Sequence, residues 1–556
     1  MIQQRVRLGD LLIEEGLINQ EQLDLALKIQ KEINYSKKLG QILIDEGFVT
    51  QKDLLKVLSK QLGYEFVDLY GEKIDFDKLA RYPLQLLKNA KAIPFKEDED
   101  YIYIATADPL NYEALEILER SLGMKPIKVY LALEEDIEAI FHRLSILEDS
   151  KHIIEEVKKE LHSEGAKQEE ESAVLRLIHL IIKDSILRRA SDIHIEPEEN
   201  RATVRARIDG VLHETFVFDQ EVYNAINTRI KLMGNLDISE KRKPQDGRFW
   251  LEVEGKKYDF RLSTAPTIFG ESIVMRILDR EKALLRLEEL GFENENLETF
   301  MDMIQSPYGI VLITGPTGSG KTTTLYAALN EIKSIHNKVM TIEDPVEYRL
   351  PLVQQVQVNE KAGLTFAVAV RSFLRQDPDV MLVGEIRDAE TLDAAAQASL
   401  TGHLVFSTLH TNDAPGAISR LAQMGLKPYM IADAIIGIVA QRLVRKICPY
   451  CKEEYKPPKI LLKKIERYLP QNPTFYKGKG CSKCDFTGYY GRTMISEILT
   501  IDEKMGELIS QGANKFEIYH YALEHTSFRP MIYDGINKAL RGITTVEEVL
   551  RVTKEK

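Results

Sequence analysis

The stretch Gly315-Pro316-Thr317-Gly318-Ser319-Gly320-Lys321-Thr322 has the residue types and spacing of a phosphate-binding loop, G-x-x-x-x-G-K-T. The apolar run Ile310–Ile313 before it reads as a strand, and Thr323 with the residues after it reads as a helix. Glycine lets successive backbone N–H groups turn inward around phosphate oxygens, and the helix N-terminus adds partial positive charge. Lys321 can reach β- and γ-phosphates, and the Thr322 hydroxyl can ligate Mg²⁺. Strand, loop and helix together imply a bound nucleoside triphosphate.

Two further runs supply what hydrolysis requires. Val339–Glu343 and Pro378–Glu385 are apolar strands that end in acids, and in a parallel α/β sheet ligands lie at those ends. Glu385 would hold or orient Mg²⁺ and its water, while Glu343 would orient or deprotonate the attacking water. A third run, Thr401–Asn412, carries His403 and His410 at its two ends. Either histidine could sense the γ-phosphate, or simply pack and hydrogen-bond.

Arg261 and Arg276 lie on two strands that precede the loop. On the first, Arg261 shares a face with Asp259 and Ser263, while Phe260 and Leu262 take the other. Beside a phosphate site, two such arginines could stabilise charge on a transferring phosphoryl group. All four cysteines fall in two pairs, Cys448-x-x-Cys451 and Cys481-x-x-Cys484. In a chain without a secretory leader this arrangement points to a tetrahedral Cys₄ zinc site rather than to disulfides.

These residues need several domains to hold them. At 556 residues, with 44% hydrophobic and 29% charged residues, the chain exceeds any single core. Its formal net charge of −12 weighs against sequence-independent nucleic-acid binding, so none is expected. No signal peptide opens the chain, and the longest apolar run, Tyr429–Ala440, is short and contains Asp433. A cytoplasmic protein is expected, able to dock on a membrane through a protein partner.

Residues 1–63 hold an internal repeat: Arg7-Leu8-Gly9 recurs as Lys38-Leu39-Gly40, Leu23 as Leu54, and Gln30 as Gln61. Each unit reads as a short helix, a Gly stop and a second helix. Residues 64–146 read as an α+β continuation with a hairpin over Ala92–Ala105. Residues 147–172 are highly charged and read as a solvated helix and flexible linker. Residues 173–282 read as a mixed α/β domain with an antiparallel sheet, its hairpin turning at Asp209-Gly210; Lys241–Arg248 is expected to be a loop. Residues 283–556 form the phosphate-loop domain, with the cysteine element at 446–486 and helices at 500–556.

The repeat resembles the nucleotide-binding motif of MshEN-type domains. That likeness implies cyclic di-GMP binding through Arg7, Leu8, Gly9, Gln30, Lys38, Leu39, Gly40 and Gln61. Lys38 departs from the motif's arginine and lacks its planar fork. The phosphate loop, Thr341–Glu347, Val383–Asp388 and Gly402–Asn412 resemble the Walker A, Asp, Walker B and His boxes of the secretion ATPase superfamily, with GspE and PilB types nearest. The resemblance implies a RecA-like motor with a zinc-binding insertion, behind a PAS-like α+β domain that carries Arg261 and Arg276 as arginine fingers. It also implies a homo-hexamer that hydrolyses ATP with Mg²⁺ and drives an inner-membrane platform protein, in pilus assembly or type II secretion. A competence pseudopilus motor, a cyclic di-GMP receptor with a weak motor, and a RecA-like nucleic-acid translocase are the competing readings.

Overall fold

The structure is a computed structural model that describes residues 8–32, 37, 39–46, 48–49, 51–69, 74, 76–79, 81–122, 125–162, 172–278, 285–485 and 487–553. Arg7 and Lys38, expected in the cyclic di-GMP motif, lie outside the described residues.

The repeat forms four helices: α1 (Leu8–Glu14), α2 (Gln20–Glu32), α3 (Leu39–Asp45) and α4 (Gln51–Leu62). Their shared core includes Leu12, Leu23, Leu43 and Leu54. The repeated glycines have a packing cause. A Cβ on Gly9 would lie 2.7 Å from Leu23 Cδ1, and one on Gly40 would lie 2.8 Å from Leu54 Cδ2. Each glycine therefore lets the two helices of its unit approach closely.

The next unit packs a sheet of β1 (Glu65–Phe66), β2 (Ala92–Glu97), β3 (Ile102–Thr106) and β4 (Ile127–Leu131), in the order β1-β4-β3-β2. Helices α5 (Phe76–Leu79), α6 (Leu84–Ala90) and α7 (Tyr112–Leu122) accompany it. The expected hairpin is β2–β3.

The helix α8 (Glu134–Leu161) then runs unbroken through the start of the expected linker. The expected helix is thus present over 147–161, but it is docked on one side rather than solvated all round. The charges lie on the solvent face, while Ile146, Ile153, Ile154 and Val157 form an apolar stripe against the following domain. Glu160 accepts from Ala173 N at 2.9 Å and ties that helix to the next one.

The third unit contains α9 (Ala173–Leu187), β5 (Ala190–Pro197), β6 (Arg201–Ile208), β7 (Val211–Asp219), α10 (Gln220–Met233), β8 (Gln245–Val253), β9 (Lys256–Thr267) and β10 (Gly270–Leu278). Its antiparallel sheet has the order β7-β6-β5-β10-β9-β8. β8 corrects the expected loop over Lys241–Arg248, because alternate half-buried and exposed residues begin at Gln245. A buried Lys231–Glu271 pair at 2.8 Å and the Tyr223 hydroxyl fix α10 on β10.

The motor unit begins with α11 (Asn294–Ile304). A seven-stranded sheet follows, in the order β13-β12-β14-β15-β11-β16-β19. Its strands are β11 (Gly309–Thr314), β12 (Val339–Glu343), β13 (Val353–Gln357), β14 (Val380–Val383), β15 (Leu404–Leu409), β16 (Ile435–Ile447) and β19 (Tyr489–Thr500), with β16–β19 the sole antiparallel pair. Every residue of β11, β12, β14 and β15 is buried, as strands covered on both faces must be. The helices α12 (Lys321–Ile332), α13 (Phe366–Phe373), α14 (Ala389–Leu400), α15 (Ala414–Gln423) and α16 (Pro428–Ala434) flank it. Between β16 and β19, α17 (Lys459–Ile465) and the hairpin β17 (Lys452–Tyr455)–β18 (Phe475–Gly478) form the cysteine element. The helices α18 (Glu503–Ser510), α19 (Lys515–His525), α20 (Met531–Leu540) and α21 (Val546–Val552) end the chain as described. No helix among the described residues is long and apolar enough to cross a membrane.

Candidate nucleotide site and Cys₄ centre

The phosphate loop joins β11 to α12. Gly318 and Gly320 have φ of 78° and 92°, a region a side chain would strain. A Cβ on Gly315 would lie 2.4 Å from Ser319 Oγ and 2.7 Å from Gln441 O, so the loop's first residue must be glycine to close. Pro316 and Thr317 are exposed at its tip, and Thr322 and Thr323 are exposed at the start of α12. Lys321 Nζ donates to the Gly315 carbonyl at 2.8 Å and the Pro316 carbonyl at 3.2 Å. Burial pushes the Lys321 amine below its ordinary value, and the nearby Glu385 charge opposes that shift.

Gln441, inside β16, is a site residue that sequence reading missed. Its Nε2 donates to Ser319 O at 2.8 Å, and its Oε1 accepts from Thr324 Oγ1 at 3.0 Å. It braces both ends of the turn from the neighbouring strand. Only the β11–β16 pairing, which has no sequence signature, could have found it.

Glu385 follows β14 and carries an ion pair to Arg387; His410 Nε2 lies 3.6 Å from its other oxygen. The structure thus brings Lys321, Glu385 and His410 together. His403 is elsewhere. Its carbonyl accepts from Gly309 N at 3.2 Å, which puts it beside the first residue of β11. The loop leaves from the last residue of that strand, about 17 Å away at a strand's rise per residue. The expectation that His403 contacts nucleotide is therefore corrected: its Nδ1 is hydrogen-bonded to the Ala398 carbonyl at 2.9 Å.

Glu343 ends β12 only 4% exposed. Thr341 Oγ1 donates to it at 2.6 Å and Gln355 Nε2 at 3.2 Å, and the Tyr326 hydroxyl donates to its other oxygen. Burial and the Glu343 charge push the Tyr326 hydroxyl far up, so it stays a donor. Enclosed in this way, Glu343 anchors the turn that follows, its two oxygens shared among these three donors. A second carboxylate of that turn, Glu347, is the one that meets the neighbouring domain. Arg261 of β9 reaches it with an N···O distance of 2.9 Å and also donates to the Val346 carbonyl at 3.0 Å. Arg276 sits beside Arg261 on β10 and binds Asp192 at 2.9 Å. Burial opposes the Arg276 charge, but Asp192 outweighs it and raises the pKa, with Glu347 adding to the effect.

The groups come from two domains, joined where Arg261 meets the turn after β12. One holds a glycine cradle, a lysine, a helix N-terminus and two carboxylates; the other holds two arginines. The arrangement suits a polyphosphate whose transferring group must be surrounded by donors and cations.

At the cysteine element, the ligand atoms of Cys448, Cys451, Cys481 and Cys484 all lie within 4.8 Å of one another, and all four residues are buried. The Sγ···Sγ distances of 3.6 Å for Cys448–Cys481 and 3.4 Å for Cys481–Cys484 are too long for disulfides. They are close to the roughly 3.8 Å edge of a tetrahedral zinc–thiolate site. The backbone N–H groups of Cys481 and Gly488 donate to Cys484 Sγ at 3.1 and 3.3 Å, as suits a thiolate. The residues therefore fit a zinc ion.

This element also touches the other units. Asp485, next to Cys484, binds Arg143 of α8 at 2.6 Å and also pairs with Arg188, just after α9. Leu133 and Leu55 pack against the cysteines, and the Arg189 guanidinium lies 3.5 Å from the Tyr490 ring centroid. None of these long-range partners is visible in the local sequence.

Comparison with known proteins agrees with this geometry. Residues 167–551 match the family model described as "Type II/IV secretion system protein", and residues 62–151 match an MshEN domain model. The second match covers the α+β unit and α8 as far as Lys151 rather than the helical repeat. The type IV pilus assembly ATPase PilB of Myxococcus xanthus is 39% identical over 562 residues, covering 98% of this chain and 98% of its own length. PilB of Thermus thermophilus is 39% identical over 590 residues, spanning 99% of this chain and 66% of that protein. The type II secretion system protein E of Pseudomonas aeruginosa is 47% identical over 390 residues, 70% of this chain and 77% of its own. The Yersinia pseudotuberculosis ATPase DotB shares the fold at 20% identity, with a TM-score of 0.52 over 68% of this chain and 94% of its own. On the family match over residues 167–551 and the end-to-end PilB alignment, this chain belongs to the type II/IV secretion ATPase family.

Proposed function

We propose that the chain is an ATP-hydrolysing motor for type IV pilus assembly or type II secretion. The observation that carries this reading is the ion pair by which Arg261, from one domain, meets Glu347, in the turn after β12 of the domain that holds the phosphate loop. Triphosphate binds on the loop through its backbone N–H groups and Lys321. Thr322 and Glu385 hold Mg²⁺ and its water, and the ion neutralises phosphate charge. Glu347 orients the attacking water, Glu343 keeps that turn in place, and Arg261 and Arg276 stabilise charge on the transferring group. Hydrolysis followed by release of the inorganic phosphate removes the charge that draws the arginines towards the loop, so each cycle opens and closes the two domains.

The end-to-end match to a pilus assembly ATPase favours pilus assembly over type II secretion, whose relative aligns over 70% of this chain. The reading extends to a homo-hexamer, cytoplasmic and docked on an inner-membrane platform protein, with zinc in the Cys₄ centre. Cyclic di-GMP is a regulator in this reading, bound at the repeat, where Leu8, Gly9, Gln30, Leu39, Gly40 and Gln61 lie on α1–α4. The experiment is ATP turnover by Lys321→Ala. Loss of hydrolysis supports the motor, and turnover equal to the parent protein's overturns it.

A further inference from the structure

Cross-strand register places a third arginine in the cleft row. Arg248 of β8 pairs directly with Arg261 of β9, and Arg261 pairs directly with Arg276 of β10. Residues opposite one another in antiparallel strands point to the same face, with Cβ atoms about 5 Å apart. The other face of these strands is the core, where Phe249 stacks on Phe260 with ring centroids 4.8 Å apart. All three arginines therefore project away from that core, toward the side on which Arg261 meets Glu347.

The charge along this row is not balanced. Arg276 and Arg207 share Asp192, at 2.9 and 3.9 Å. Arg261 takes Glu347, yet its Nε is buried without a hydrogen-bond partner. Arg248 has no ion-pair partner among the described residues and is exposed on the edge strand. Like charges directly opposite in a sheet are destabilising, so adjacent guanidinium groups call for an anion between them. The position is also held rigidly. A Cβ on Gly247 would lie 2.4 Å from the Gly234 carbonyl oxygen, and Gln245 Nε2 donates to the carbonyls of Asp237 and Glu240 at 2.9 Å.

We propose that Arg248 is a third catalytic arginine of the nucleotide cleft, binding phosphate oxygens of the triphosphate beside Arg261. This rests on the reading of Gly315–Thr322 as the ATP site. A planar guanidinium can take two phosphate oxygens at once, and three in a row surround a group whose negative charge is spread over several oxygens.

The test uses the full-length protein with Arg248→Ala and Arg248→Lys, measuring steady-state ATP turnover and the affinities for ATPγS and ADP. The expected result for Arg248→Ala is a kcat about tenfold lower, a loss of several-fold in ATPγS affinity relative to ADP, and an unchanged melting temperature. Arg248→Lys should recover little, because a point charge lacks the fork. Parent-like turnover and an unchanged ATPγS-to-ADP ratio would overturn the proposal. So would a turnover loss that follows only a change in oligomeric mass, which would assign Arg248 to a contact between subunits. Lys321→Ala run in parallel separates the two levels. If it hydrolyses ATP normally, the site reading fails; if it is inactive while Arg248→Ala is normal, only the role of Arg248 fails.

Discussion

Arg261 and Glu347 form an ion pair of 2.9 Å between β9 of the antiparallel domain and the turn after β12 of the motor. Only 18% of the Arg261 side chain and 25% of the Glu347 side chain are exposed, so the pair is more than a surface contact. It links a cationic row to a phosphate loop across a domain boundary, and most of the predictions below follow from it.

Glu347→Gln should lower kcat by about 100-fold or more and leave ATP binding within about threefold, since it removes charge from the cleft and little bulk. Glu343→Gln should instead loosen the turn after β12, because the carboxylate shared by Tyr326, Thr341 and Gln355 is lost. Hydrogen exchange over 344–350 reads that loosening. If the two variants lose kcat equally with no change in exchange, the division of labour drawn here is wrong.

Gln441→Leu removes both braces on the phosphate loop, the bonds to Ser319 and Thr324. Nucleotide affinity should fall about tenfold, while the domain's melting temperature shifts by only a few degrees. Calorimetry of ATPγS binding checks this, and unchanged affinity would remove Gln441 from the site.

Elemental analysis should find about one zinc per chain in the parent protein and little in Cys451→Ser. The same loss should free Arg143 and Arg188 from Asp485, since Asp485 is placed by its neighbour Cys484. Limited proteolysis within α8 should then run several-fold faster, and Asp485→Ala should reproduce this with zinc retained. Equal proteolysis in all three proteins would make the cysteine element independent of the domains it touches.

Glu548 provides a pH-dependent contribution to stability. Burial raises its pKa, but hydrogen bonds from Arg551 and Arg445 outweigh this and bring it to about 2. A depressed carboxylate contributes stability in full above its unfolded value of 4.5, and that contribution is lost as pH falls through about 2. The shift corresponds to about 3 kcal/mol. Glu548→Gln should therefore melt several degrees below the parent protein at pH 7, with the gap narrowing steadily below pH 4.5. A gap independent of pH would contradict the ion-pair origin.

Features governed by short spacing were legible in the sequence. The phosphate loop, the acid-ended strands, the Asp209-Gly210 hairpin and the paired cysteines each depend on residues a few positions apart. What escaped depends on pairing between distant strands. β8 was hidden because the charged run Lys241–Lys243 and Pro244 read as a loop, and its alternation begins only at Gln245. Without β8 the row Arg248–Arg261–Arg276 could not be seen. Glu343 and Glu347 are both acids near the end of one strand, and only side-chain packing distinguishes the enclosed one from the one that meets Arg261. His403 was misplaced because a strand puts its two ends on opposite edges of the sheet. The docking of the helix over 147–161 escaped because charge density was visible in sequence, whereas the apolar stripe of Ile146, Ile153 and Val157 required the neighbouring domain to explain it.

The most direct test of an interdomain ATP cleft is Arg261→Ala, with ATP affinity and turnover measured on the same full-length protein. A cleft that closes in the transition state predicts a kcat about 100-fold lower and an ATP dissociation constant within about threefold of the parent's. Parent-like turnover, or affinity and kcat falling by the same factor, would contradict it.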